Sequence, residues 1–161
     1  MSYSDAFLRS ILDDVKTVAM VGVSANVVRP SYFVARYLDR KGYKVLPVNP
    51  VYKGATLFGA KVAPSLKALA KKKAPVHMVD VFRRSEEAGA VVDDALRHLL
   101  DKGLKAIWMQ IGVEDEAAAK RAESEGIRVV MNRCPKIEYQ RLMGELSIGG
   151  FNSGRLSSKL R

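Results

Sequence analysis

Short apolar runs alternate with longer amphipathic runs along this chain, and the alternation is the strongest regularity in the sequence. Five apolar runs are rich in Val, Ile or Met and nearly continuous in their apolar character: Thr17–Val23, Lys44–Val48, Val76–Val81, Ala106–Gln110 and Arg128–Met131. Strands that are covered on both faces have this pattern, which is typical of parallel sheets. We therefore predict five buried parallel strands.

The runs between these strands have the periodicity of helices. The clearest is Ser85–Lys102, in which apolar residues recur every three or four positions along one stripe. Further helices are predicted at 5–14, 31–41, 114–125 and 136–144, and residues 54–64 form an irregular insert or small hairpin. Alternating strands and helices predict a three-layer α/β fold of the Rossmann type, with a five-stranded parallel sheet flanked by helices.

The length, composition and charge of the chain indicate how many domains it has and what kind of partner it binds. The chain has 161 residues, which favours a single domain, and 27 basic against 17 acidic residues give a net charge of +10. This excess predicts a polyanionic partner: nucleic acid, anionic lipid or a phosphorylated small molecule. No secretory signal and no apolar stretch near the ~18 residues that span a membrane is found, so we expect a cytoplasmic protein.

The first candidate site is the loop after the first predicted strand. Gly22-Val23-Ser24-Ala25 leads to Arg29-Pro30-Ser31 at a predicted helix start. Ligands of open parallel sheets bind beyond the carboxyl ends of the strands. A glycine turn at a helix N-terminus presents backbone N–H groups that suit a phosphate, and Arg29 could add a bidentate contact. The simpler alternative is that Gly22 only permits a tight turn.

The loop after the second strand bears on the choice of cofactor. Val48-Asn49-Pro50 is followed by Lys53, and no acidic residue stands there to bind the ribose hydroxyls of NAD. A cation at this point suits a phosphorylated ribose, although a solvated lysine is the simpler alternative. The first loop also lacks the G-x-G-x-x-G pattern of dinucleotide-binding proteins.

Three further loops follow the remaining strands: Val81-Phe82-Arg83-Arg84, Gln110-Ile111-Gly112 and Asn132-Arg133-Cys134. Phe82 could cover an adenine and Arg83 could reach a phosphate, or Phe82 belongs to the core and the arginines begin a solvated helix. Gly112 allows close backbone approach to a ligand. Cys134, the one cysteine, is more often a small buried apolar residue than a catalytic group.

Candidates for catalysis are few. His77 is predicted within a strand as a core residue, His98 lies off the apolar stripe of its helix, and Asp80 is a single carboxylate. Nothing joins a nucleophile to a base and an orienting group. The segment 152–161 is predicted as a flexible basic tail, but it offers no aromatic platform on which nucleic-acid bases could stack.

Six segments together resemble one known family. They are Val21-Gly22-Val23-Ser24, Arg29-Pro30-Ser31, Pro47-Val48-Asn49-Pro50, Val79-Asp80-Val81-Phe82-Arg83-Arg84, Trp108-Met109-Gln110-Ile111-Gly112 and Asn132-Arg133-Cys134-Pro135-Lys136-Ile137-Glu138. This series is similar to the stand-alone CoA-binding proteins, which look like the CoA-binding domain of the succinyl-CoA synthetase α subunit. The resemblance runs from about Thr17 to Arg141.

The resemblance implies a domain that binds coenzyme A or an acyl-CoA without catalysis of its own. By analogy, Gly22–Ala25 would bind the CoA phosphates and Lys53 would face the nucleotide end. Val81–Arg83 would line the cofactor, and Gln110–Gly112 would approach its pantetheine arm. It places Cys134 near the thiol end. The first loop departs from the glycine-rich loop of the synthetases. A monomer or small homo-oligomer is expected, and an NADP-dependent oxidoreductase or a nucleic-acid-binding module are the alternatives.

Overall fold

A computed structural model describes residues 2–144. Its elements, in chain order, are α1 (Asp5–Asp14), β1 (Thr17–Val21), α2 (Pro30–Arg40), β2 (Lys44–Val48), β3 (Thr56–Leu57), β4 (Ala60–Lys61), α3 (Leu66–Ala70), β5 (Met78–Val81), α4 (Ser85–Leu99), β6 (Ala106–Met109), α5 (Glu116–Glu123), β7 (Arg128–Val130) and α6 (Pro135–Leu142). Two short 3₁₀ turns, Pro50–Tyr52 and Leu100–Lys102, extend the ends of β2 and α4. The predicted basic tail, 152–161, lies outside the described residues.

The main sheet has five parallel strands in the order β2-β1-β5-β6-β7, which confirms the predicted sheet. β1 lies between the strand that follows it and β5, so the direction of winding reverses between β1 and β5. Open α/β sheets bind their ligands at such a reversal, beyond the carboxyl ends of the strands. β3 and β4 form a separate antiparallel hairpin, as expected for residues 54–64.

Helices cover both faces of the sheet and complete the three layers. α1, α2 and α6 pack on one face, against alternate strand residues that include Met20, Met78 and Trp108. α3, α4 and α5 pack on the other face, against residues such as Val79, Ile107 and Val129. Because both faces of each strand are buried, the sequence of each strand is a nearly continuous apolar run. Full burial of each large side chain stabilises the fold by roughly 1.5–3 kcal/mol.

Several strands end earlier than their apolar runs predict. β1 ends at Val21 because Gly22 turns the chain with φ +93°, and β6 and β7 each stop one residue short of the predicted limit. β5 begins at Met78, so the prediction that His77 lies within the strand is wrong; its side chain is half-buried at the strand's entry. Among the helices of residues 2–144, none has the length and apolar character needed to cross a membrane.

Candidate functional site

Backbone hydrogen bonds join the ends of three strands at the reversal point of the sheet. The Gly22 N–H donates to Val48 O (2.9 Å), and the Phe82 N–H donates to Val21 O (2.8 Å). A Cβ added at Gly22 would lie 2.1 Å from Phe82 O, and the residue has φ +93°. Both the contact and the backbone conformation therefore require glycine at this position.

A first cavity of about 350 Å³ opens above this point. The residues of its wall come from the loops after β1 and β2, from the start of α2 and from the end of β5: Gly22, Ser24, Arg29, Pro30, Ser31, Asn49, Val51, Tyr52 and Phe82. α2 begins here with Arg29 at its N-cap and Pro30 in its first turn. The positive end of the helix dipole thus faces the cavity. Arg29 is exposed, and its side chain makes no hydrogen bond or ion pair within residues 2–144.

Hydrogen bonds hold the loop after β1 in place. The Ser24 N–H donates to Ser31 Oγ (2.9 Å), and Ser24 Oγ lies 3.3 Å from the Tyr52 hydroxyl. The buried Asn49 side chain donates from Nδ2 to Val23 O (2.9 Å), which ties the first loop to the second. Ser31 was noted in the sequence only as part of the predicted helix start, and Tyr52 was not among the candidate residues. No feature of the sequence indicates that their hydroxyl groups contact the first loop.

The loop after β2 contributes to this cavity unevenly. Val48 is buried in the core, and Pro50 begins the 3₁₀ turn that carries Val51 and Tyr52 into the wall. Lys53 follows that turn and is exposed, beside the wall but not among its lining residues. Its ammonium group has the freedom to reach a ligand at the rim of the cavity.

A second cavity, of about 590 Å³, lies on the other side of Phe82. It is lined by the ends of β5 and β6 and by the first turn of α4: Phe82, Arg83, Arg84, Glu87, Gln110, Ile111, Gly112 and Val113. Phe82 belongs to both walls, so the two cavities lie side by side along the carboxyl edge of the sheet. This arrangement suits an elongated ligand.

The loop after β6 is fixed by polar contacts from two other elements. The Gly112 N–H donates to Asn132 Oδ1 (2.7 Å), and Ser85 Oγ donates to Gly112 O (3.2 Å). Asn132 itself has φ +59°, an uncommon conformation that asparagine tolerates. Asn132 therefore positions Gly112 in the cavity wall without lining it.

The arginines of the second cavity differ in their contacts. Arg84 forms an ion pair with Glu87 at 2.8 Å on the exposed start of α4. Arg83 is half-buried, and its side chain makes no hydrogen bond or ion pair among the described residues. Arg83 is thus the cation that this cavity offers to an anionic group.

Other candidate residues lie in the core. Val23 and Val81 are fully buried, so only their backbone faces the site, and Ala25 is half-buried in the first loop. Cys134 is 5% exposed, precedes α6 and packs in the layer of α1, α2 and α6. The Cys134 thiol lines neither cavity.

The parallel sheet, its two helical layers and the cavities at its reversal point define a Rossmann-like α/β domain. The sequence model of the CoA binding domain matches residues 16–140, and the chain belongs to this family of CoA-binding domains. It is 32% identical over 136 residues to the uncharacterised protein YneT of Bacillus subtilis strain 168, covering 84% of this chain and 94% of that protein.

Solved structures agree with the family. The structure of cell-free ID.343 from Thermus thermophilus is 36% identical, has a TM-score of 0.74, and covers 87% of this chain and 99% of its own. A hypothetical protein from Pyrococcus horikoshii OT3 is 33% identical, with a TM-score of 0.77 over 89% of this chain and 94% of its own. The resemblance read from the loops is therefore confirmed at the level of the family.

Proposed function

We propose that this chain binds coenzyme A or an acyl-CoA along the carboxyl edge of its sheet, without catalysis of its own. The observation that carries the proposal is the pair of cavities that share Phe82. Coenzyme A is an elongated ligand with a phosphorylated nucleotide at one end and a slender pantetheine arm at the other. Two cavities in one row match that division.

The first cavity supports binding of the phosphates. Gly22 brings the backbone of β1 close to Phe82, and the N-terminus of α2 supplies the positive end of a dipole. Arg29 adds an exposed guanidinium, which can bind a phosphate through two parallel hydrogen bonds. Lys53 stands at the rim, where the 3′-phosphate on the ribose would meet it.

The second cavity supports binding of the pantetheine arm. Gly112 leaves the backbone open there, and Ile111, which is 57% exposed, offers apolar surface beside it. Asn132 and Ser85 hold this loop in one conformation, so little ordering is needed when a ligand binds. Arg83 is available for a phosphate or for an anionic acyl group.

The proposal of binding without catalysis rests on the chemistry of the lining residues. Glu87 is ion-paired with Arg84, and the hydroxyls of Ser24 and Tyr52 contact each other with no histidine or carboxylate hydrogen-bonded to either among the described residues. His77 lies at the opposite end of the sheet, where its Nδ1 accepts the Lys16 N–H (3.0 Å), and His98 is half-buried on α4.

Calorimetric titration of the purified chain with coenzyme A, acetyl-CoA, dephospho-CoA, NAD and NADP tests the proposal. We expect coenzyme A to bind more tightly than dephospho-CoA and NAD, because only the 3′-phosphate can meet Lys53. Equal affinity for coenzyme A and dephospho-CoA would remove Lys53 from its proposed role. A preference for NADP would favour the alternative of an NADP-dependent oxidoreductase. A salt-sensitive complex with nucleic acid, in a chain that does not bind coenzyme A, would favour the alternative of a nucleic-acid-binding module.

A further inference from the structure

Three buried side-chain oxygen atoms in the described part of the chain have no hydrogen-bond partner: Asp80 Oδ1, Asp80 Oδ2 and Gln110 Oε1. Asp80 is completely buried, with 0% of its surface exposed. Folded proteins leave few such atoms unpaired, and each one in a native structure calls for an explanation. Gln110 Oε1 accepts hydrogen bonds, and the Asp80 carboxyl accepts through both oxygen atoms when it is ionised and donates through one of them when it is neutral. They need hydrogen-bond donors that the surrounding residues do not supply.

The strand register places these atoms at the ligand end of the sheet. Asp80 is the penultimate residue of β5 and pairs with Met20 of β1 and Trp108 of β6. Because side chains alternate along a strand, Asp80 and Phe82 belong to the same face of the sheet. Trp108 and Gln110 are likewise two residues apart on β6 and its continuation. Asp80 therefore lies two residues before Phe82 on the same face of the sheet, and both Phe82 and Gln110 line the second cavity.

We propose that Asp80 and Gln110 form a hydrogen-bonding subsite for the amide and hydroxyl groups of the ligand's pantetheine arm, covered by Phe82 in the ligand-free chain. The inference rests on the proposed function and extends it to a residue beyond the cavity walls. Phe82 is half-buried and lines both cavities, and under this proposal a rotation of its ring would give the arm access to Asp80.

The chemistry of Asp80 matches such a ligand. Burial raises the pKa of the Asp80 carboxyl well above its usual range, and thus favours the neutral form of the group. A neutral carboxyl accepts through its carbonyl oxygen and donates through its hydroxyl. Amides need both kinds of partner, whereas phosphates need cations. The subsite thus selects the uncharged arm and leaves the phosphates to Arg29 and Lys53.

The test compares two ligands on two variants. Coenzyme A carries the arm, and adenosine 3′,5′-bisphosphate carries only the nucleotide end. Asp80→Leu keeps the shape of the side chain and removes its hydrogen bonds, while Asp80→Asn keeps an acceptor and a donor. We expect Asp80→Leu to bind coenzyme A about tenfold more weakly than wild type, with unchanged affinity for the bisphosphate. Asp80→Asn should bind both ligands within about threefold of wild type.

A second measurement reads the effect of the ligand on the wild-type chain and uses Asp80→Asn only to assign the band. Infrared difference spectra, with the Asp80 carbonyl band assigned by its absence from Asp80→Asn, should show that band shift on addition of coenzyme A and not of the bisphosphate. Unchanged coenzyme A binding by Asp80→Leu, an equal loss for both ligands, or a band that coenzyme A leaves in place would each overturn the inference. Failure of the wild-type chain to bind coenzyme A would instead overturn the proposed function, and this inference with it.

Discussion

The polar groups at the two ends of the parallel sheet differ in whether they have hydrogen-bond or ion-pair partners. At the amino end, Asp14 accepts a hydrogen bond from Arg128 (2.7 Å) and lies 3.8 Å from the Lys105 ammonium. His77 there is held by bonds on both its backbone and its ring, the Nδ1 atom accepting the Lys16 N–H. At the carboxyl end, Asp80 and Gln110 keep unpaired buried oxygen atoms, and three cations have side chains that make no hydrogen bond or ion pair within residues 2–144: Arg29, Lys53 and Arg83.

The difference separates what holds the fold together from what is kept for a ligand. The polar groups named at the amino end are paired with one another across the strand entries. Unpaired groups at the carboxyl end lower stability, since a buried group without a partner costs about 1–3 kcal/mol. Such a cost persists in natural proteins where function requires it. The comparison can be tested at both ends.

The largest effect is expected from Gly22→Ala, at the carboxyl end. The new Cβ would lie 2.1 Å from Phe82 O, in a backbone conformation of φ +93° that alanine rarely adopts. We expect a loss of about 4 kcal/mol in the free energy of unfolding, because the strand ends must separate to admit the methyl group. Urea unfolding measured by circular dichroism checks this.

Gly42→Ala is the matched control for that variant. Gly42 has φ +98°, but nothing lies within 4 Å of the position its Cβ would take. The backbone strain is the same and the clash is absent, so this variant should lose only about 1–2 kcal/mol. Equal losses in the two variants would mean that close approach at the reversal point is not what Gly22 provides.

The second effect is the pH dependence that Asp80 gives to stability. Burial raises its pKa in the folded state, and its strand neighbours Met20 and Trp108 carry no titratable group. As pH rises above the ordinary carboxyl pKa, Asp80 ionises in the unfolded chain while it stays protonated in the folded one. Wild type should therefore lose stability relative to Asp80→Asn as pH rises, by at most about 1.4 kcal/mol per pH unit.

Urea unfolding of both chains between pH 4 and pH 8 measures this difference, and the other carboxyl groups cancel in the subtraction. The buried Glu138 on α6 is the acidic residue to control for, because it belongs to the same face of the sheet and accepts hydrogen bonds from Arg141 (2.7 Å). A difference that stays constant across the range would show that Asp80 is ionised in the folded chain and has a partner.

The fold could be predicted from the sequence because its signals are local and redundant. Each strand is an apolar run, and the alternation with helices allows few arrangements. The ends of strands were less predictable. Val23 is as apolar as Val21, and only the backbone turn at Gly22 shows that the strand has already ended. That turn depends on Phe82, sixty residues along the chain, which no local pattern reports.

The site could be predicted only in part, for a related reason. The loops of the site could be predicted because the loops that follow parallel strands all lie at the carboxyl edge of the sheet, where ligands bind. The sequence shows Asp80 as a single carboxylate at the end of a predicted strand. Its lack of hydrogen-bond partners depends on its neighbours Met20 on β1 and Trp108 on β6, which are distant in sequence. For Cys134 the sequence favoured a small buried apolar residue over a catalytic group, and the structure confirms the burial, since the side chain is 5% exposed and packs in the core.

The third effect concerns the free cations of the carboxyl end. Arg29→Ala and Lys53→Ala should each weaken coenzyme A binding by about 1–3 kcal/mol, the range for hydrogen bonds to charged groups. Only Arg29→Ala should weaken dephospho-CoA binding to the same extent, because Lys53 is assigned to the missing 3′-phosphate. Calorimetric titration gives both affinities.

Lys71→Ala is the control for the change in net charge. Lys71 is exposed at the end of α3, away from both cavities. Its loss lowers the net charge by the same amount and should leave coenzyme A binding unchanged at physiological ionic strength. If all three variants weaken binding alike, the attraction comes from the overall charge and the carboxyl end has no special role.

The smallest effect is expected at the amino end, from Arg128→Gln. The hydrogen bond from Arg128 holds the pKa of the Asp14 carboxyl below its usual value, with a further contribution from Lys105. A lowered folded-state pKa gives stability that is present above the ordinary carboxyl pKa and is lost as pH falls through the folded value. The stability difference between wild type and Arg128→Gln should therefore shrink as pH falls from 6 to 3. Coenzyme A binding at neutral pH should not change, and urea unfolding with parallel calorimetry checks both points. A stability difference that is independent of pH, or a loss of binding, would mean that the two ends of the sheet are not separated in the way their hydrogen bonds indicate.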